Sequence, residues 1–333
     1  MLFVVQLAAM NGEERVLDAL DAILVRVEDD VHEAELIDVD ELEASAWYQS
    51  SRRDRQKLLE KIAEASLHRS PRKRGPHLRR VEVSDPATAA QARVIAHAPL
   101  LVLVENDISD GSLVEAALRT LAEPATIELC FGAPSQLEPP AFKMESRGGH
   151  GELKKLIVSC IKDAAARGRR PRMVVITDSD GEWPGEVKSH AQEIRTDCAR
   201  HGIPCPPLNK RTAENYIPDA VWHAWVSDPD KTAAKPMVEA LLRLSREQRD
   251  HVNMARPDQS PWDKNKPKAV ALFQGVSTAD EDILRRSNLK GRSDSMLILA
   301  LKVHANALTS IDLQARDHQG DLLNLVRNIE DEL

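Results

Sequence analysis

The strongest indication of the fold is the stretch Met173-Val174-Val175-Ile176-Thr177-Asp178-Ser179-Asp180-Gly181. Its apolar half is typical of a buried strand, and the glycine indicates a turn just past the strand's end. Because residues i and i+2 of a strand point to the same side, we expect Asp178 and Asp180 to present paired carboxylates. Carboxylates that close repel each other unless a cation lies between them, and Mg²⁺ or Mn²⁺ suits such oxygen ligands.

A second stretch of the chain has the same pattern. The apolar run 100–104 ends in Glu105, and the acids Asp107 and Asp110 follow before a helical pattern. In an open α/β sheet, ligands collect at the carboxyl ends of parallel strands. We therefore expect Glu105 and the Asp178-x-Asp180 pair to converge on one ion.

The composition limits the classes of function. The chain has 333 residues, enough for one large or two ordinary domains, and its net charge of −8 excludes a globally basic nucleic-acid coat but not a local basic patch. Aromatic residues make up 3%, which argues against a surface that binds nucleic acid mainly by stacking. The four cysteines form no Cys-x-x-Cys pair, and we interpret them as reduced thiols of a cytoplasmic protein. The sequence predicts neither a signal peptide nor a membrane span.

Hydrophobic periodicity divides the chain into three regions. Residues 1–95 are interpreted as a mostly helical α+β region, 98–220 as an α/β domain with a parallel sheet flanked by helices, and 221–333 as a helical region. Within 98–220 the predicted strands are 100–104, 126–131, 172–177 and 203–205. Alternation of strands and helices implies parallel strands with right-handed crossovers.

A basic segment lies inside the first region. Residues 69–80 combine prolines, a glycine and six basic residues, which indicates a loop or linker. Arg72, Lys73 and Arg74 are its centre. The segment is either an arm that binds nucleic-acid phosphates or a solvated linker without that role.

The order of three elements resembles a known domain. Glu105 after one apolar strand, Asp178-x-Asp180 after another, and then Leu208-Asn209-Lys210-Arg211-Thr212-Ala213-Glu214-Asn215-Tyr216 resemble the TOPRIM domain. The similarity is closer to the version in OLD-family (overcoming lysogenization defect) nucleases and related phage-defence effectors. It covers about residues 98–220 and implies a Rossmann-like fold whose strands bring one Glu and an Asp-x-Asp to a divalent-metal site. The family usually has a glycine after its glutamate, where this chain has Asn106.

The resemblance implies a Mg²⁺- or Mn²⁺-dependent endonuclease that acts on DNA or RNA, of the anti-phage defence type. Glu105, Asp178 and Asp180 are then the metal ligands, and Asp110 or Asp107 supports a second ion or a bridging water. Divalent ions activate water and neutralise charge on the phosphate in such hydrolysis.

Basic residues complete this interpretation of the site. Lys210 would stabilise the negative charge of the transition state, and Arg211 would hold a substrate phosphate. The basic residues of the linker, Arg72, Lys73 and Arg74, are further candidates for substrate binding. A partner ATPase and a homo-oligomer are compatible with this hypothesis, and no membrane partner is expected.

Two other functions stay open at this point. Asn106, the acidic net charge and the lack of an ATPase phosphate-binding loop favour a catalytically silent sensor or adaptor that binds a partner ATPase. An aspartyl-phosphate phosphatase would use Asp178 as nucleophile, but Glu182 stands where such sites have Thr or Val. His150, between glycines, is either a mobile base or phosphate contact, or part of a flexible surface loop. Trp183 either stacks on a nucleotide or packs inside the fold.

Overall fold

The computed structural model describes residues 1–68, 79–167, 170–254, 260–286 and 308–333. The basic residues Arg72, Lys73 and Arg74 lie outside the described residues, as does part of the predicted helical region 221–333. In the described part, the chain forms two three-stranded parallel sheets flanked by helices, so the predicted α/β class is confirmed.

The first sheet belongs to the N-terminal region. Its strands β1 (Leu2–Val5), β2 (Glu33–Leu36) and β3 (Arg80–Val83) are arranged in the order β2-β1-β3. The helices of this region are α1 (Leu7–Met10), α2 (Glu14–Glu28), α3 (Ala46–Ser50), α4 (Arg53–Leu67) and α5 (Pro86–Ala96), with a 3₁₀ turn at Val39–Glu41. The expected α+β arrangement is wrong, because all three strands are parallel and helices connect them. Strand β3 was not predicted, although Val81 and Val83 alternate with the polar residues Arg80 and Glu82.

The second sheet carries the stretches that the sequence singled out. Strands β4 (Leu100–Val104), β5 (Phe142–Ser146) and β6 (Met173–Val175) have the order β5-β4-β6. The register pairs Val104 with Ser146 and Leu103 with Val175, so the three strands end at the same edge. The helices around this sheet are α6 (Ser109–Leu121), α7 (Pro124–Phe131), α8 (His150–Ala166) and α9 (Ser189–Arg200), with a 3₁₀ turn at Ala133–Gln136.

Two predicted strands of this region are absent from the described fold. Residues 126–131 belong to helix α7, which Pro124 starts at its first turn and which buries Thr126, Leu129 and Cys130 at helical spacing. Residues 203–205 form no strand in the described chain. A single backbone bond, from the Val175 amide to the Pro204 carbonyl at 3.0 Å, joins them to β6. Prolines lack the donor that a ladder needs, which explains the isolated bond.

The described residues of the C-terminal region are mostly helical. After a 3₁₀ turn at Ala213–Tyr216, the chain forms α10 (Asp219–Val226), α11 (Lys235–Arg243), α12 (Arg246–His251), α13 (Pro267–Leu272), α14 (Thr278–Arg286), α15 (Ser310–Arg316) and α16 (Asp321–Glu332), with a further 3₁₀ turn at Pro229–Ala234. Buried side chains of α16, such as Leu325 and Ile329, lie in the same hydrophobic core as Val102 and Val174 of the second sheet. Among the described helices, none combines the length and the apolar character that a membrane span requires.

Candidate metal centre

The loop after β6 carries the two aspartates. The strand ends at Val175, so Asp178 and Asp180 lie beyond the regular backbone and the expected i, i+2 pairing of their side chains does not apply. Asp180 has a φ of 50°, in the left-handed region. Backbone and hydroxyl bonds hold the loop there: the Asp180 amide donates to the Arg211 carbonyl at 2.9 Å, and the Ser179 hydroxyl donates to the Lys210 carbonyl at 2.7 Å.

Glu105 and Asp180 approach each other at one imidazole. The Nε2 atom of His150 lies 2.9 Å from Glu105 Oε2 and 3.5 Å from Asp180 Oδ2. His150 is the first residue of α8 and follows Gly148 and Gly149, whose φ angles are 69° and 87°. The Gly148 amide donates to the Glu105 carbonyl at 3.2 Å, which ties this turn to the end of β4. His150 therefore lies at the site and not in a detached surface loop.

A second histidine, which no sequence pattern singled out, contacts the same carboxylate. His190 is the second residue of α9, and its Nε2 atom lies 3.0 Å from Asp180 Oδ2. The centroids of the His150 and His190 rings are 3.8 Å apart, with an angle of 61° between the ring planes. The ligand atoms of His150, Asp180 and His190 all lie within 4.8 Å of one another. We call these three residues the His-Asp-His cluster.

The negative charges around His150 affect its titration. Burial lowers the pKa of His150, but the contact with Glu105 and the charges of Glu105, Asp180 and Asp110 outweigh burial and raise the pKa overall. The cluster stays open to solvent, since the side chains of His150, Asp180 and His190 are 24%, 33% and 39% exposed. The site thus combines negative charge with access for a solute.

Asp110 lies beneath the turn that follows β4. It is 5% exposed, and its carboxylate accepts bonds from the Asn106 amide at 2.9 Å and the Ser109 hydroxyl at 3.1 Å. Burial, together with the charges of Glu214 and Glu105, raises the pKa of Asp110 to about 7. Asp110 is thus fixed inside its own turn and is not part of the His-Asp-His cluster.

Lys210 does not reach the site, contrary to the sequence prediction. Its side chain is fully buried, and its ammonium group donates to Asp250 Oδ1 at 2.6 Å and to the Arg316 carbonyl at 2.7 Å. Arg316 forms a second ion pair with Asp250. The two cations therefore share one buried carboxylate, and the ammonium group of Lys210 is bound inside the fold instead of facing a substrate phosphate.

The other predicted residues differ in how close they lie to the cluster. Arg211 is half-buried, and its guanidinium donates to the His251 carbonyl at 3.3 Å. Burial lowers the pKa of Arg211, while the charges of Glu182 and Asp180 oppose the shift. Asp178 is half-buried and Asp107 is exposed, and neither belongs to the cluster.

Trp183 lies just past the aspartates and contacts two lysines. The ammonium groups of Lys266 and Lys268 are each 5.6 Å from the centroid of its ring. Lys266 also pairs with the buried Glu182, which Lys188 contacts at 2.7 Å, whereas Lys268 is exposed. An aromatic ring with two ammonium groups near it therefore follows Asp180 by three residues.

Comparison with known proteins finds no matching family model, no matching curated protein and no matching solved structure. The interpretation of the site thus depends on the side chains themselves and on the strands that bring them together.

Proposed function

We propose that this chain is a divalent-metal-dependent nuclease that hydrolyses phosphodiester bonds in DNA or RNA. The observation that carries the proposal is the meeting of Glu105 and Asp180 around His150 Nε2. The two acids are distant in sequence and follow adjacent parallel strands, where α/β folds bind their ligands. This arrangement also supports a TOPRIM-like fold, and with it a role in defence against phage, as in the family that the sequence resembles.

The side chains present fit a divalent ion. Asp180, His150 and His190 would hold it, with Glu105 Oε2 beside them at 2.9 Å from the His150 nitrogen. A bound ion supplies an activated water and neutralises negative charge on the phosphate. The chain's own contribution is to orient these ligands from the loop after β6 and the first turns of α8 and α9, and to keep one side of the cluster exposed to the substrate.

The basic residues near the cluster suit a nucleic-acid strand. Arg211 would attract a phosphate, and the exposed Lys268 lies over the ring of Trp183. A base that stacks on Trp183 would keep its phosphate within reach of these cations, because aromatic stacking and backbone charge act together in strand binding.

The proposal is tested by cleavage assays on the full chain with Mn²⁺ and with single- and double-stranded DNA and RNA. We expect cleavage that Asp180→Asn and Glu105→Gln each reduce at least about 100-fold, since each removes a negative charge from the site. Glu193→Gln is the matched control, because Glu193 lies on α9 close to His190 but is 62% exposed and pairs with Lys154. Cleavage that survives both site substitutions would reject this site as the nuclease centre.

The burial of Lys210 favours one other function. Because Lys210 is buried, the site lacks the cation that the resemblance assigns to transition-state stabilisation. The same lack is expected of a catalytically silent sensor or adaptor that binds a partner ATPase. Metal binding without cleavage of any of these substrates, together with stable association with an ATPase, would support this second candidate.

A further inference from the structure

Two imidazoles and a carboxylate form a different set of donors from the all-oxygen set that the sequence predicted. Mg²⁺ prefers octahedral oxygen ligands and keeps much of its water. Imidazole nitrogen favours first-row transition ions, whose affinity for such sites rises from Mn²⁺ towards Cu²⁺. We infer that His150, Asp180 and His190, with Glu105 beside them, bind a transition ion such as Mn²⁺, Co²⁺ or Zn²⁺ and discriminate against Mg²⁺.

Three distances between neighbouring donor atoms are close to those around one such ion. Ligands that bind a tetrahedral ion at about 2.0–2.1 Å are separated from one another by about 3.3 Å. Asp180 Oδ2 lies 3.0 Å from His190 Nε2 and 3.5 Å from His150 Nε2. Glu105 Oε2 lies 2.9 Å from His150 Nε2. The ligand atoms of His150, Asp180 and His190 all lie within 4.8 Å of one another, so side-chain movements would place these three donors around a common centre.

Both imidazoles are directed at the same carboxylate. The two Nε2 atoms approach the same oxygen of Asp180, and the ring centroids are only 3.8 Å apart. A divalent ion between these atoms would be bound by two imidazole nitrogens and a carboxylate oxygen, a donor set that proteins use for transition ions.

Exposure of the cluster distinguishes it from a structural metal site. Structural ions are enclosed by four protein ligands, whereas catalytic ions keep an open position. All three side chains of the cluster are between 24% and 39% exposed. The site therefore has room for a water or a substrate oxygen in addition to the protein ligands.

The test measures metal binding by the full chain after removal of metals with a chelator, by titration calorimetry and by the visible absorption of Co²⁺. We expect Co²⁺ to bind at least about tenfold more tightly than Mg²⁺, and His190→Asn to weaken Co²⁺ binding at least about tenfold while Mg²⁺ binding is unchanged, because Asn removes a nitrogen ligand. His223→Asn is the control, because His223 is exposed on α10 and should leave Co²⁺ binding unchanged.

A second measurement guards against a variant that fails to fold. Pulsed electron paramagnetic resonance of the wild-type Mn²⁺ complex should detect coupling to imidazole nitrogen. Equal affinity for Co²⁺ and Mg²⁺, unchanged Co²⁺ binding in both His150→Asn and His190→Asn, or a Mn²⁺ complex without nitrogen coupling would each overturn the inference. The inference rests on the same site as the proposed nuclease, but these readouts need no substrate, so metal selectivity and cleavage can fail separately.

Discussion

Asp180 is the residue on which the site depends. Its left-handed backbone, with φ of 50°, is tolerated better by Asp than by most residues but still carries a cost of about 1–3 kcal/mol. The bond from its amide to Arg211 holds this conformation, and the result is a carboxylate that both histidines contact. Backbone strain of this kind is typical of functional sites.

Lys210 shows why a charged residue near a motif need not act in it. Both Asn209 and Lys210 bond to groups inside the fold, Asn209 to Asp321 at 2.7 Å and Lys210 to Asp250 at 2.6 Å. The local sequence around Lys210 is equally compatible with an exposed or an inward ammonium group. The partners that decide the matter, Asp250 and Arg316, are distant in sequence, so the prediction of a catalytic lysine had no local signal to correct it.

The buried lysine makes stability depend on pH in an unusual direction. Burial and the charge of Arg316 lower the pKa of Lys210 from 10.5 to about 8, against the attraction of Asp250. Between these two pH values the unfolded chain binds a proton that the native chain lacks, so the free energy of unfolding should rise with pH, by about 3 kcal/mol at most. Below the lowered pKa this contribution is lost. Urea unfolding across the window between the two pKa values measures it.

Comparison with a variant isolates the contribution of this one group. Lys210→Met should abolish the rise in the free energy of unfolding between the two pKa values. Lys155→Met, at a side chain that is 75% exposed, should keep the wild-type dependence of this free energy on pH. Equal slopes for the wild type and Lys210→Met would show that Lys210 is not the group that titrates.

At the scale of elements, the site depends on where two helices begin. His150 and His190 occupy the first turns of α8 and α9, and the glycine pair before α8 sets the direction of the first imidazole. Gly149 has φ of 87° and ψ of 152°, a combination that is essentially restricted to glycine. Strands β4 and β6 were predictable because they are apolar runs, whereas β5 was not, because Phe142–Ser146 mixes polar and apolar residues.

Gly149 and Gly151, on either side of His150, allow a matched test of how the start of α8 directs the His150 imidazole. Gly149→Ala should weaken Co²⁺ binding about tenfold or more. Alanine at this φ and ψ is strained by about 1–3 kcal/mol, and the backbone movement that relieves the strain would displace His150. Gly151→Ala, inside α8 with no atom within 4 Å of the added methyl, should leave binding unchanged and stabilise the chain by about 0.5–1 kcal/mol. Titration calorimetry and thermal unfolding measure both effects. Equal Co²⁺ affinities for the two variants would contradict the role of Gly149.

In the whole molecule, the C-terminal region packs against the second sheet. Glu332 at the end of α16 pairs with Arg79, just before β3, at 3.1 Å and with Arg170, which precedes β6, at 2.8 Å. One helix thus connects both sheets, and its apolar face completes the core behind the site. Periodicity predicted that this region is helical, but not which core it would join, since such contacts link residues far apart in sequence.

His190 was not predicted for the same reason, because its contact with Asp180 depends on how the intervening loop folds. In the loop 181–188, the Lys188 amide donates to the Ser179 carbonyl at 3.0 Å. This bond turns the chain back, so that His190 contacts Asp180. The sequence offered only a helix start in this region. The convergence of Glu105 and Asp180 was predictable, because parallel strands end together, but the nitrogen donors beside them were not.

Diffraction from crystals of the full chain with Mn²⁺, recorded near the manganese absorption edge, would show whether the His-Asp-His cluster holds a metal ion. We predict one anomalous peak bonded to the Asp180 carboxylate and to both imidazoles, at about 2.0–2.2 Å from the nitrogen and oxygen ligands. A peak held only by Asp178 and Asp180, with both histidines turned away, or no peak at the cluster at millimolar Mn²⁺, would contradict this prediction.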